Sequence, residues 1–71
     1  MYILIFKTNI DSEESHREIG MLLSTKSSVT GWNIDQEDID KVLRIESKVN
    51  DTSDIINTIN RAGFFCEELP D

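Results

Sequence analysis

The apolar residues of this chain change their spacing from period two to period 3.6 and back, and then do so again. That order of spacings admits only a few folds. "YILIF", Tyr2 to Phe6, is rich in aromatic and β-branched residues and predicts a strand over residues 2–8. Tyr2, Leu4 and Phe6 share one face of it, and Ile3 and Ile5 the other. In a sheet with one wet face, half of such a strand should be polar, and here none of it is. Next comes "DSEESHREIGMLLSTKS", with Ser15, Ile19, Leu22, Leu23 and Lys26 at helical spacing and Ile19, Leu22 and Leu23 as the apolar stripe. Asp11 or Ser12 supplies the cap, and Asp11 with Glu14 has the spacing of a capping box. Glu13 and Glu14 fall in the first turn, where the helix dipole favours anions. Gly20 weakens this helix by about 1 kcal/mol relative to alanine, and a glycine there allows close packing against a sheet or a partner.

The second half repeats the order. "SVTGWNIDQED" predicts a strand from about Val29 to Asp35, with Trp32 and Ile34 on one face. "QEDIDK" is a turn, and "KVLRIES" a third strand over Lys41 to Ser47. Leu43 and Ile45 share one face of it, and Val42, Arg44 and Glu46 the other. "VNDTSDIINTINRAG" is a second helix, capped by Asp51, Thr52 or Ser53, with Ile55, Ile56, Ile59 and Ala62 as its stripe. Gly63 fits the position just past its end, where a left-handed backbone stops a helix. "FFCEELP" is a short fourth strand that Pro70 ends. The order is β-α-β-β-α-β, an α+β ferredoxin-like sandwich. Right-handed crossovers place both helices on one face of a four-stranded antiparallel sheet and leave the other face open. The whole chain, residues 1–71, reads as one domain.

Bulk properties narrow the function classes. A chain of 71 residues buries only about 60% of the surface its unfolded form exposes, so the core is thin. With 38% apolar and 30% charged residues it reads as a globular domain. No apolar run approaches the ~20 residues that cross a bilayer, and no basic segment leads into a long apolar one as in a secretory signal. The net charge of −7 argues against nucleic acid and against an anionic membrane surface. It leaves cations, metals and basic protein patches as partners. A single cysteine, Cys66, permits no internal disulfide, and the expected compartment is the cytoplasm.

Four short stretches carry a family resemblance over almost the whole chain. Phe6 stands where a core aromatic or aliphatic is kept, and Val29 where a "PGV" valine closes the first helix. "WNID" is similar to a "V-x-V-D" second strand, and "RAGF", residues 61–64, to an "xAGY" or "xAGF" at the end of the second helix. The chain resembles a heavy-metal-associated domain, the fold of small copper chaperones and of the metal-binding modules of metal-transporting P-type ATPases. That family works through M-x-C-x-x-C on the loop after the first strand. The resemblance aligns it with Ile10-Asp11-Ser12-Glu13-Glu14-Ser15, so Ile10 replaces the methionine, and Ser12 and Ser15 replace the cysteines. Thiolates bind Cu(I) or Zn(II) because sulfur is soft and readily loses its proton, whereas a serine hydroxyl is hard and neutral. No metal transfer through Ser12 and Ser15 is therefore expected, and no cofactor.

Other residues offer weaker chemistry. His16, the only histidine, could ligate a metal with Asp11, Glu13 or Cys66, with Glu14 beside them. Cys66 shares a strand face with Phe64 and reads as a small core residue. Ile3, Ile5 and Trp32 are candidates for an interface, a protein partner or a second copy covering the open sheet face. Trp32 belongs to that interface if it points to the open face, and to the core if it points to the helices. No Ser-His-Asp, Cys-His or glycine-rich phosphate loop is present, so no enzyme activity is expected. The leading expectation is a protein-interaction or regulatory module. The alternatives are a metal-ion-binding protein that uses ligands other than a CxxC, and a small-ligand sensor.

Overall fold

A computed structural model describes residues 1–70. The predicted single-domain span of 1–71 therefore includes Asp71, which lies outside the described residues. The elements are β1 (Tyr2–Thr8), α1 (Glu13–Ser24), β2 (Val29–Asp35), β3 (Val42–Ser47), α2 (Thr52–Arg61) and β4 (Cys66–Glu68). The sheet runs β2-β3-β1-β4, and every pairing is antiparallel. This is the ferredoxin-like arrangement predicted from the order of spacings.

The inward apolar face of the first strand has a topological cause. β1 sits between β3 and β4, with Leu4 opposite Ile45 and Phe6 opposite Leu43. Leu4 and Phe6 face the helices and are buried with Leu43, Ile45 and Ile34. Ile19 and Leu23 of α1 and Ile55 and Ile59 of α2 close over them. Strand alternation then turns Ile3 and Ile5 to the open face, where Ile3 remains 42% exposed. Trp32 turns the other way. Its ring lies against Gly20 of α1, where a Cβ would sit 3.0 Å from Cζ2, so Gly20 makes room for the tryptophan. Trp32 packs on the core and does not join Ile3 and Ile5 in one patch.

Two local expectations are corrected. The N-cap of α1 is Ser12, with extended backbone at φ −120° and ψ 158°, and its box partner is Ser15. The Asp11–Glu14 box does not form, because the chain turns into the helix one residue later than that spacing needs. Strand β3 begins at Val42, because Lys41 adopts φ 45° at the end of the preceding turn. Helix α2 is capped by Asp51, whose carboxylate accepts from the Asp54 amide at 3.2 Å.

Gly63 follows α2 at φ +94°, with open space where a side chain would begin. A Gly63→Ala substitution meets no steric obstacle and pays only for the left-handed backbone. It is expected to lower stability by about 1 kcal/mol. Thermal unfolding checks this, with a fall of about 4–8 °C expected for a domain this size.

Candidate functional site

The loop between β1 and α1 is tied down at Thr8, Asn9, Ile10 and Ser12. Thr8 ends β1 on the helix-facing side and is buried. Its hydroxyl donates to the Lys41 carbonyl at 2.7 Å and accepts from the Ile10 amide at 3.2 Å. Its own amide donates to the Asp40 carbonyl at 3.1 Å. Asn9 reaches the far side, where its Oδ1 accepts from the Phe65 amide at 2.9 Å just before β4. Ile10 is fully buried, so its side chain is a core anchor. Its carbonyl accepts from Gln36 Nε2 at 3.3 Å.

Ser12 and Ser15 close on each other. The Ser15 amide donates to Ser12 Oγ at 3.0 Å, and the Ser12 amide donates to Ser15 Oγ at 3.1 Å. Ser15 Oγ donates to the Ser12 carbonyl at 2.9 Å, which leaves the Ser12 hydroxyl to donate across the 2.8 Å gap between the two oxygens. Both hydroxyl hydrogens and both backbone amides are thus used within four residues. Ser15 is buried, and Ser12 is exposed.

Asp11, Ser12, Glu13, His16 and Gln36 line a hollow of about 270 Å³ beside this ring. The structure therefore brings Asp11, Glu13 and His16 to one place, with Glu14 exposed beside Glu13 in the first turn of α1. His16 Nε2 lies 3.0 Å from Gln36 Nε2, so the neutral imidazole accepts there. Its ring stands edge-on to Trp32, with centroids 5.7 Å apart. Among the described residues, no three His, Cys, Asp or Glu side chains converge well enough to hold a metal ion. Cys66 lies apart from the hollow. It pairs with Thr8 across the β1–β4 ladder and points into the core, and burial pushes its thiol up to about 12.

Sequence reasoning missed Thr8, Asn9 and Gln36. Thr8 carried a signal, since it is the polar member of the inward series Leu4, Phe6, Thr8. Gln36 carried none, because its partners Ile10 and His16 are 26 and 20 residues away.

No family model and no curated protein matches the chain. Among solved structures it is similar to the N-terminal domain of ZntA in the Zn(II)-form. That similarity covers 93% of this chain and 89% of the other, with a TM-score of 0.78 and 10% identity. It establishes that the two share a fold. No described helix is long and apolar enough to cross a membrane.

Replacing Ser12 or Ser15 by alanine is expected to cost about 1 kcal/mol each. The double variant should cost clearly less than the sum, because either change opens the same ring. Chemical denaturation of the four proteins measures this. The Cys66 thiol is expected to resist iodoacetamide at pH 8 while folded and to react on unfolding. A folded thiol titrating near 12, against 9.0 for a solvated thiol, also subtracts stability as pH rises from 9 toward 12. Cys66→Val should flatten that part of the pH–stability curve.

Proposed function

We propose that this chain is a non-enzymatic, cytoplasmic interaction or regulatory module, built on a fold it shares with a zinc-form domain but without a thiolate site. The observation that carries this reading is the closed Ser12–Ser15 ring. A soft ion bound there would meet two hard hydroxyl oxygens whose protons stay on at neutral pH. It would also have to break the bonds that start α1. The donor set does not fit Cu(I) or Zn(II), and no step of a metal transfer is assigned to it.

The partner surface is the open sheet face. Ile3, Ile5 and Val42 lie on it with Lys7, Arg44 and Glu46, an apolar centre among charges of both signs. The molecule's two longer extents, 27 and 25 Å, bound this face at roughly 700 Å² per partner. A standard interface takes about 800 Å² from each side, so the face is close to the size a protein or a second copy needs. The net charge of −7 favours a protein partner over nucleic acid or an anionic membrane.

A second reading, metal binding through oxygen and nitrogen, is favoured by one observation, the shared hollow of Asp11, Glu13 and His16. Against it, the outer nitrogen of His16 is engaged by Gln36.

Anaerobic titration with Cu(I), Zn(II) and Ni(II) against a competing chelator tests both readings. The expected result is no binding tighter than micromolar by the unaltered protein, and gain of Cu(I) binding when Ser12→Cys and Ser15→Cys are combined. Tight binding by the unaltered protein that is lost in His16→Ala would sink the interaction reading and establish the second.

A further inference from the structure

The two edges of the sheet are built differently. β4 has only three residues, two of them glutamates, and Pro70 follows it. Those are features that block strand pairing at an edge. β2 has seven residues, Val29–Asp35, with no lysine, arginine or proline, and a single bulge near its start.

The direction of its backbone groups follows from the ladder. The Leu69 amide donates to the Ile5 carbonyl at 2.8 Å, so Ile5 turns its backbone to β4, and Leu4 and Phe6 turn theirs to β3. Alternation carries this across the sheet. Ile45 and Leu43 face β1, and their partners on β2, Trp32 and Ile34, present N–H and C=O outward. Beside that edge, α1 and β2 flank a shallow, open hollow of about 350 Å³ lined by Gly20, Leu23, Ser24, Val29 and Trp32. On the other side of the strand, the Glu46 carboxylate lies over Gly31, with an oxygen 2.6 Å from where a Cβ would sit. Asp35 stands exposed at the strand's end.

The geometry points to the β2 edge as a docking site for an extended peptide segment of a partner protein, one that alternates apolar with basic residues. The segment adds to the sheet as an antiparallel strand. Residues opposite Trp32 and Ile34 exchange backbone hydrogen bonds with them and put their side chains on the helix side, where one enters the hollow. The residue opposite Asn33 points to the open face beside Arg44, whereas those opposite Gly31 and Asp35 point to it beside Glu46 and Asp35, which select lysine or arginine there. A second copy is the poorer occupant. An edge about 24 Å long and about 18 Å deep offers roughly 430 Å² per partner, near half of what a stable dimer takes. A peptide also escapes the repulsion between two chains of charge −7. This inference rests on the interaction-module reading and names one partner class for it.

The test is an amide NMR titration with a synthetic peptide that alternates lysine with leucine, and with its copy N-methylated at each leucine. The expected result is saturable shifts at the Trp32 and Ile34 amides and the Trp32 indole, with slowed hydrogen exchange at both amides. The N-methylated copy should bind about tenfold more weakly, because it cannot donate to the Trp32 and Ile34 carbonyls. Ser24→Trp, at the exposed rim of the hollow, should weaken the unmethylated peptide while leaving the rest of the spectrum in place. Absence of saturable shifts, equal binding of the methylated copy, or shifts confined to Ile3 and Ile5 would each overturn the inference. So would concentration-dependent protection of Trp32 and Ile34 without peptide, which would assign the edge to a second copy. Shifts at Ile3 and Ile5 would still support an interaction module, and the metal titration judges that reading independently.

Discussion

One buried hydroxyl holds the β1–α1 end of this molecule together. Thr8 sits where β1 stops, and its side chain and amide tie the strand to the turn before β3 and to the start of the β1–α1 loop. Buried polar atoms left without partners cost about 1–3 kcal/mol each, so these bonds are obligatory once Thr8 is inside. The loop inherits its shape from that requirement. Ile10 then drops into the core, Asn9 reaches β4, and Ser12 arrives in position to cap α1. Thr8, Asn9 and Ile10 thus position the loop through contacts that do not involve the Ser12 and Ser15 side chains.

Two paired hydroxyls at the start of α1 follow from helix capping alone. The spacing that puts two thiols together at a helix start also puts two hydroxyls together, because the first residue is the N-cap and the second is three residues on. Serine suits both positions for a reason unrelated to metals: it satisfies orphan amides of the first helical turn. Here the two side chains do so reciprocally.

The fold was legible because it rests on periodicity. Strand β1, the α1 stripe of Ile19 and Leu23, and Gly63 past α2 all followed from spacing and backbone preference. The double-faced apolarity of "YILIF" also signalled a central strand. What stayed hidden depends on meetings between distant residues. Asp11 and Ser12 were equally good caps until the backbone turn decided between them. Trp32 shares parity with Ile34, yet its side-chain partners, Gly20 and His16, come from another element. Gln36 reads as part of a polar turn, and only the folded chain shows it bridging His16 and Ile10. The outward amides of β2 required the complete ladder.

The seat of Trp32 on Gly20 has a spectroscopic consequence. The chain has one tryptophan, and its ring touches a helix at the point where that helix has no side chain, with an imidazole edge beside it. Its emission therefore watches a single joint, between α1 and β2. Intrinsic fluorescence will register α1 lifting off the sheet, while it stays nearly silent when the far end, α2 with β4, frays. Circular dichroism recorded alongside it follows the secondary structure of the rest of the molecule.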